Sequence, residues 1–590
     1  MRRCRLALLT ALLIAAARLG AAETPDHPAL AFVHAAVVPM DAPRVLRDQT
    51  VVIAKGRIAA LGPSASTPVP AGARVVDARG LYLAPGLADM HAHLYTEEDL
   101  EVHVLNGVTT VFNLDGRPAH LAWRERVASG SLLGPTIYTS GPMFNRPRAP
   151  EEAVAEVDRQ AAAGYDAVKI YNQVSAAEYP ALTAEAKKKG LVLVGHVPRE
   201  PGFVATLAAG QSIAHAEEFV YTFFNDDPDP RHEVVHALDT WRIPQAVAKT
   251  KEAGIFVIPT LVAFHDIVRQ ATDVKAYLKD PHLRYLAPSM RAALEPGRNT
   301  YANRFAPDVV PGLAVSYEFQ RQLVKALHDG GVPILAGTDV AWLGVPGYSL
   351  VEEIENFQDL GFSPYDALRT ATADPARLLR RENEFGTIAV GKRADLVVTQ
   401  KNPIDDVRAL ERLAGVVARG RWIPEAEAAR RLDGVPQQYR ATIARLERKA
   451  ATDIEGVDRE LAETDPLGVL GSSVFIALAE NRPPDEVAAI LTKLHRENPG
   501  SHLTAEESLN ELGYGLLAAK KNEAAIAVFR VNTELYPSSG NTFDSLAETY
   551  LKLGNEARAR ELYARALAAQ PDYPNAKAAR RIVEGTDLRD

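Results

Sequence analysis

Six residues in the middle of the chain have side chains that bind divalent metal ions, or that carbon dioxide can convert into a metal ligand. They come from five separate segments, and each stands where a predicted strand should end. Imidazole and carboxylate groups suit zinc and its neighbours. In this order and at these intervals, the set predicts a hydrolytic metal centre. The six residues are His91, His93, Lys169, His196, His215 and Asp339.

The first two of these residues, His91 and His93, are alternate positions of one predicted strand. Side chains two residues apart on a strand point to the same side, so both imidazoles can ligate one ion. A His-X-His pair by itself is equally compatible with a structural role. The preceding run Leu83–Asp89, with the sequence LAPGLAD, favours ligation.

The other four residues each have a structural alternative. Lys169 lies in an apolar strand, where an ammonium group is costly to bury. A carbamate formed with carbon dioxide would be an oxygen ligand, and an ion pair with Asp166 is the alternative. His196 and His215 each end a run of strand character and singly fit hydrogen-bonded core histidines. Asp339 follows a glycine-containing run, and its alternative is a helix N-cap. Their positions on strand ends favour ligation.

The elements that must position these residues alternate between strands and helices, which is typical of parallel α/β units. Helices at 152–163 and 177–189 fit between strands, and Gly164 and Gly190 end them as C-caps. Eight such units close into a TIM-like (β/α)8 barrel with functional residues at the carboxyl ends of its strands. The predicted strands are 86–91, 109–112, 136–140, 167–171, 191–196, 211–215, 255–260 and 334–338.

Strand-rich segments on both sides of the barrel predict a small β-sandwich domain formed from both flanks. Residues 30–38 and 50–61 precede the barrel, and residues 386–388, 394–398 and 415–422 follow it. The long segment 264–315, between the seventh and eighth strands, is predicted to be a helical insertion.

The C-terminal region contains an internal repeat with a period of 34 residues. At this spacing Leu512 pairs with Leu546 and Pro537 with Pro571. The pattern resembles tetratricopeptide repeats and predicts an all-α domain with two repeats and a degenerate partner at about 468–499. Two interpretations stay open, a docking surface for a protein partner and a plain helical hairpin.

These patterns divide the chain into six segments. They are a signal peptide at 1–22, the first part of the β-domain at 23–85, the barrel at 86–384, the second part of the β-domain at 385–425, a helical connector at 426–500 and the repeats at 501–585.

Two stretches of the chain resemble a known family. Residues 84–93, APGLADMHAH, resemble the first-strand signature of the amidohydrolase superfamily, and residues 386–398, GTIAVGKRADLVV, resemble its return into the small β-domain. The resemblance covers roughly residues 30–423. It is closest to the branch that contains imidazolonepropionase-like enzymes and prolidase-like dipeptidases.

The resemblance implies a centre with two divalent metal ions, zinc in the first place. The two histidines of the first strand would bind the more buried ion, and His196 and His215 would bind the second. Asp339 would bind the first ion and act as the catalytic residue that serves the attacking water. Lys169, once carboxylated, would bridge the two ions.

Such a centre predicts hydrolysis of a C–N bond. Two ions that share a water lower its pKa towards neutrality, and Asp339 would carry the proton to the leaving nitrogen. The expected substrate is a small molecule, a dipeptide or an N-acyl amino acid. Tyr171, after the fourth strand, is a candidate substrate contact. Arg146 and Arg148 could hold a substrate carboxylate, although solvent exposure is the simpler interpretation. His103 and His120 are expected at the surface.

Three alternatives are weaker. A mononuclear deaminase of the same superfamily usually has a glutamate three residues after the histidine of the fifth strand, and Arg199 stands there instead. A lactonase would use the same site on an ester. A non-catalytic binding protein, with the repeats recruiting its partner, is disfavoured because all six ligand positions are present.

Composition and the N-terminal segment limit the possible partners, the cellular location and the cysteine chemistry of the protein. A formal charge of −9 argues against a nucleic-acid partner. Residues 1–22 combine a charged start, an apolar core and small residues before a cleavage point, which predicts a periplasmic or secreted protein with no other membrane association. The only cysteine, Cys4, lies in this segment, so the mature protein has no disulfide and no thiolate ligand.

Overall fold

A computed structural model describes residues 28–224, 239–340 and 343–585. The predicted signal peptide at 1–22 lies outside the described residues. Among the residues described, no helix is both long enough and apolar enough to cross a bilayer. The chain divides into two compact units, here called the α/β unit and the helical unit. The α/β unit comprises the chain up to His93, Leu100–His265 and Gly312–Leu432, and the helical unit comprises Leu94–Asp99, Asp266–Pro311 and the chain from Asp433.

The small β-domain of the α/β unit is one eight-stranded sheet with strand order β15-β14-β13-β5-β1-β2-β3 and β4 paired to β1. Strands from both flanks meet where β13 pairs antiparallel with β5, as predicted. Its strands are β1 Leu30–Val37, β2 Leu46–Ala54, β3 Arg57–Pro63, β4 Arg74–Asp77, β5 Tyr82–Pro85, β13 Leu396–Thr399, β14 Leu413–Ala418 and β15 Arg421–Pro424.

The prediction of a sandwich needs correction, because these strands form one connected sheet. The rings of Phe32 on β1 and Trp422 on β15 pack edge to face, with their centroids 5.1 Å apart. Because these strands are far apart in the strand order, the sheet must curl over a common apolar core. Residues 386–388 were also predicted as a strand and are not one. Gly386 has a left-handed φ of 90°, and Ile388 makes a single backbone bond, to the carbonyl of Pro39.

Seven parallel strands form the centre of the α/β unit, in two sheets with orders β6-β7-β8 and β12-β11-β10-β9. Six of them lie within one residue of a predicted strand at both ends, and the short β12 is two residues shorter than predicted at each end. They are β6 Leu87–Ala92, β7 Val108–Asn113, β8 Thr136–Thr139, β9 Ala167–Ile170, β10 Val192–Gly195, β11 Ser212–Ala214 and β12 Val257–Ile258.

The predicted eighth strand, 334–338, is held by isolated parallel bridges rather than by a full ladder. Ile334 bridges to Val257 on β12, and Val340 bridges to Ala92 on β6. A further bridge, from Ser140 to Ala167, joins the two sheets. The pairings therefore run from β6 to β12, on to residues 334–340, and back to β6.

Helices of the α/β unit follow these strands and cover them. Gly164 ends helix α3 with a left-handed φ of 90°, as predicted. The helices that lie wholly or partly in this unit are α1 Glu97–Leu105, α2 Pro118–Ala128, α3 Pro150–Ala163, α4 Tyr179–Lys188, α5 Gly202–Ala208, α6 Glu217–Phe219, α7 Ile243–Ala253, α8 Leu261–Tyr277, α11 Val310–Asp329, α12 Tyr348–Asp359, α13 Pro364–Arg369, α14 Ala373–Leu378 and α15 Glu425–Ala450.

The helical unit contains the insertion and the C-terminal region. Helices that begin at Glu506 and Gly540, and at Asn522 and Glu556, stand 34 positions apart, which matches the period in the sequence. The remaining helices are α9 Pro288–Ala293, α10 Thr300–Arg304, α16 Ile454–Thr464, α17 Val469–Asn481, α18 Pro484–Glu497, α19 Glu506–Ala518, α20 Asn522–Leu535, α21 Gly540–Lys552, α22 Glu556–Ala569 and α23 Ala576–Glu584. Their assignment as tetratricopeptide repeats stays a prediction.

Candidate metal centre

The carboxylate of Asp339 lies against two predicted ligands from the first parallel strand. Its Oδ1 is 3.1 Å from Nε2 of His91 and 3.0 Å from Nε2 of His93. The ligand atoms of His91, His215 and Asp339 all lie within 4.8 Å of one another. Three separate segments thus bring imidazole and carboxylate groups to one point.

The other two predicted ligands adjoin this group. Nζ of Lys169 is 3.2 Å from Nε2 of His91. The ring of His196 lies 4.5 Å from that of His215, which in turn lies 4.6 Å from that of His91. All six residues therefore form one continuous cluster, although the sequence separates its ends by 248 positions.

Burial keeps three imidazoles of this cluster neutral, those of His91, His196 and His215. It lowers the pKa of His91 and of His196 well below the ordinary value, and it lowers the pKa of His215 to about 4. Within the described part of the chain, Nδ1 of His91 and Nδ1 of His196 are buried without a hydrogen-bond partner. Neutral imidazole is the form that binds divalent metals, so this donor set fits a metal ion.

The charged groups of the cluster also suit metal binding. Burial alone would raise the pKa of Asp339, but interactions with His91 and His215 outweigh it and hold that pKa well below the ordinary range. Burial lowers the pKa of Lys169 to about 8, so a fraction of its amine is neutral near pH 7. A neutral amine is the form that reacts with carbon dioxide, which is consistent with a carbamate at this position.

Part of the cluster and its surroundings has strained backbone. His215, Thr260 and Asp339 have left-handed φ values of 74°, 47° and 54°. Such values cost on the order of 1–3 kcal/mol each in residues other than glycine, and they concentrate at functional sites. Gly337 lets the chain approach the first strand closely, because a Cβ there would lie 2.9 Å from the Cβ of His91.

Three buried side chains that the sequence analysis did not single out support the ligands. Oγ1 of Thr260 lies 2.8 Å from Nδ1 of His215, which leaves Nε2 of that ring for a metal. Asp89 accepts hydrogen bonds from the backbone N–H of His91 and from the hydroxyl of Thr338. These three residues could have been found in the sequence from their positions. Asp89 and Thr338 stand within two residues of a predicted ligand, and Thr260 ends a predicted strand.

A pair of glutamates after the sixth strand was also missed. The carboxylate of Glu218 is buried, and it accepts hydrogen bonds from the N–H of Val197 and from Arg199 at 2.6 Å. Oε1 of Glu217 lies 4.0 Å from Nδ1 of His215, and burial raises the pKa of Glu217 to about 8. Arg199, which replaces the glutamate expected of a deaminase, therefore has a structural partner.

The ring of Tyr171, the candidate substrate contact, lies 4.1 Å from that of His196 and is partly exposed. Arg146 is exposed as expected. Arg148 is partly buried over the ring of Phe144 at 4.7 Å, so simple solvent exposure is wrong for this arginine.

The expectation that His103 and His120 lie at the surface is wrong. Both are fully buried. Nδ1 of His120 accepts a hydrogen bond from the backbone N–H of Arg117 at the start of helix α2, and burial lowers the pKa of His103 to about 3.

Comparison with known proteins identifies the family. Residues 82–423, more than half of the chain, match the model of the amidohydrolase family. The chain belongs to the amidohydrolase family. This confirms the resemblance to the amidohydrolase superfamily that was inferred from residues 84–93 and 386–398.

Two proteins that are similar to this chain are adenine deaminases. The chain is 25% identical over 464 residues to the enzyme from Ruegeria sp. (strain TM1040), and 23% identical over 466 residues to that from Paracoccus denitrificans (strain Pd 1222). Each match covers 75% of this chain but only 64% of the deaminase.

Two solved structures have a similar fold over about 70% of this chain. A putative prolidase from Bifidobacterium longum is 27% identical with a TM-score of 0.53, and the match covers 70% of this chain and all of that one. A bottromycin amidohydrolase is 24% identical with a TM-score of 0.56, and the match covers 71% of this chain and 94% of the other.

Proposed function

We propose that this amidohydrolase hydrolyses an amide or peptide-like C–N bond in a small substrate, a dipeptide or an N-acyl amino acid. The observation that carries the proposal is the convergence of His91, His215 and Asp339 within 4.8 Å. We interpret the cyclic parallel sheet as the (β/α)8 barrel of the family, with the cluster at the carboxyl ends of its strands.

Six residues would hold two divalent ions, zinc in the first place. When bound, such ions acidify a water molecule and polarise the carbonyl group of the substrate. His91 and His93 would hold one ion together with Asp339, and His196 and His215 would hold the other. Lys169, carboxylated, would contribute an oxygen ligand to both.

The residues of the chain supply the proton transfer and the positioning. Asp339 stays ionised, so it can accept the proton of the attacking water and then donate it to the leaving nitrogen. Tyr171 would contact the substrate beside His196. Because both groups stand at strand ends rather than on flexible loops, their positions are set before the substrate binds.

A second candidate, deamination of an amino-substituted heterocycle, is favoured by the similarity to two adenine deaminases. The residue at position 199 opposes this candidate, because such enzymes usually have a glutamate there. In this chain Arg199 occupies the position and forms an ion pair with Glu218. Both reactions break a C–N bond at a trigonal carbon, so one metal centre could serve either.

The test combines metal analysis of the purified full-length protein with a substrate screen. Dipeptides, N-acyl amino acids, lactones and aminopurines would be assayed beside Asp339→Asn as the matched control. We expect zinc in the purified protein and turnover of a dipeptide or N-acyl amino acid that the variant lacks. Release of ammonia from an aminopurine alone would favour deamination. Undiminished activity after exhaustive chelation would contradict the metal-dependent mechanism.

Intact-mass analysis tests the carbamate. We expect native protein to be heavier by the mass of carbon dioxide when bicarbonate is present, and Lys169→Arg to lack this difference. An unmodified lysine in fully metal-loaded, active protein would contradict a bridging role.

The proposal also includes export of the enzyme and a protein partner for its helical repeats. Cleavage after residue 22 would deliver the enzyme to the periplasm or outside the cell, and N-terminal sequencing of natively expressed protein tests this. The helical repeats could bind a protein partner, which co-purification of the full-length chain would reveal.

A further inference from the structure

The chain leaves the α/β unit immediately after the metal ligand His93. Residues Leu94–Asp99 belong to the helical unit. Whatever fixes this short loop therefore also limits the backbone freedom of the residue before it.

The loop is closed by reciprocal hydrogen bonds at the start of helix α1. Oδ2 of Asp99 accepts from the N–H groups of Tyr95 and Thr96, both at 2.9 Å, and Oγ1 of Thr96 accepts from the N–H of Asp99 at 3.3 Å. This is the arrangement of a capping box, which satisfies the free N–H groups at a helix start.

A tyrosine from the long helix α15 joins this box. The hydroxyl of Tyr439 lies 2.9 Å from Oγ1 of Thr96 and donates to Oδ1 of Asp99 at 3.3 Å. Thr96 is fully buried, Asp99 is 2% exposed and Tyr439 is 1% exposed. A capping box needs no third residue, so the tyrosine serves to attach the loop to helix α15.

Within the helical unit, the insertion after β12 is attached to the C-terminal helices in a similar way. Oγ of Ser289, on α9, donates to the carbonyl of Val469 at 2.8 Å, and its N–H donates to Oγ of Ser473 on α17 at 3.2 Å. The guanidinium of Arg298 approaches Gly515 on α19 so closely that a Cβ there would lie 3.4 Å from it. Part of the surface of the first repeat is therefore occupied by this chain itself.

We propose that Tyr439 is a positioning residue for the metal centre, because it fixes the loop that directly follows the metal ligand His93. The inference rests on the proposed function, since it assigns the loop a role in holding a ligand. It gives Tyr439 a role in the enzyme that is independent of any partner of the helical repeats.

The test compares two substitutions that each remove one buried tyrosine hydroxyl from the helical unit. Tyr439→Phe removes the hydroxyl that joins the loop to helix α15. Tyr573→Phe is the matched control, because that hydroxyl donates to Oδ1 of Asp544 at 2.6 Å in a buried site of the helical repeats. Zinc affinity, measured by competition with a chromophoric chelator, and thermal stability would be determined for both full-length variants.

We expect both variants to lose similar thermal stability, but only Tyr439→Phe to lose zinc affinity, by about tenfold, as is usual when a group that orients ligands is removed. Amide exchange of Leu94–Asp99 should quicken in that variant alone. Thr96→Val should reproduce its effect and Thr96→Ser should restore zinc affinity, which a general loss of packing would not do.

The outcomes separate this inference from the proposed function. Equal zinc affinity and equal loop exchange in wild type, Tyr439→Phe and Tyr573→Phe overturn the positioning role and leave the proposed function standing. Absence of zinc binding from the wild-type protein overturns the proposed function, and this inference with it.

Discussion

The hydroxyl of Thr338 donates a 2.6 Å hydrogen bond to the fully buried carboxylate of Asp89. The same carboxylate accepts from the N–H of His91 and from the N–H of Thr338. Asp89 therefore joins the first parallel strand to the segment that ends in Asp339, and it sets the separation between the ligands that the two segments carry.

Thr338→Val tests this connection, because it removes the hydroxyl and retains the shape of the side chain. We expect a loss of about 1–3 kcal/mol in the free energy of unfolding, the usual cost when a buried polar group loses a hydrogen-bond partner, together with weaker zinc binding. Urea denaturation and chelator competition measure the two effects. Thr338→Ser is the control and should stay close to wild type; equal losses in both variants would attribute the effect to the methyl group.

The bond between Thr260 and His215 leads to a separate prediction. Thr260→Val leaves Nδ1 of His215 without its partner at 2.8 Å, so the ring loses its fixed orientation. Loss of such a partner typically weakens metal affinity by about 10–100-fold, and we expect kcat to fall with it. Thr260→Ser retains the hydroxyl and should bind zinc as wild type does. Unchanged zinc affinity in Thr260→Val would show that the hydroxyl does not orient the ring.

The ligands themselves should be essential for turnover but not for folding. His91→Ala and Asp339→Asn each remove a group from the point where three segments converge, so activity should fall to background. The fold should persist, because the surrounding core consists of apolar side chains such as Met90, Phe112 and Leu335. Circular dichroism and gel filtration check the fold beside the assay. Full activity in either variant would contradict its assigned role.

Glu353 makes the stability of the α/β unit depend on pH. Its buried carboxylate accepts the N–H groups of Leu261 and Val262, and burial raises its pKa from 4.5 to about 8. The folded state therefore holds this proton more tightly than the unfolded state does. The resulting stabilisation is complete below about pH 4.5 and is lost as the pH rises towards about 8.

Glu353→Gln removes this titration, so its unfolding free energy should fall less between pH 5 and pH 8 than that of wild type. Urea unfolding across this range measures the difference in slope. Glu318→Gln, on an exposed position of α11, is the control and should follow wild type. Parallel curves for wild type and Glu353→Gln would show that the buried carboxylate does not titrate in this range.

Much of the candidate site could be predicted from local pattern. Strand-ending positions of His196 and His215, the alternation of His91 and His93, and the family signature around them depend only on residue type and short spacing. The same is true of the 34-residue period, which recurs in the starts of the C-terminal helices.

Tertiary packing decided the contacts that local pattern does not encode. Asp339 meets His93 across 246 positions, and the attachment of Asp99 to Tyr439 spans 340. The burial of His103 and the joining of all flanking strands into one curled sheet also depend on what packs against each residue. Periodicity shows which face of a helix or strand is apolar. Which distant segment packs against that face depends on the tertiary structure.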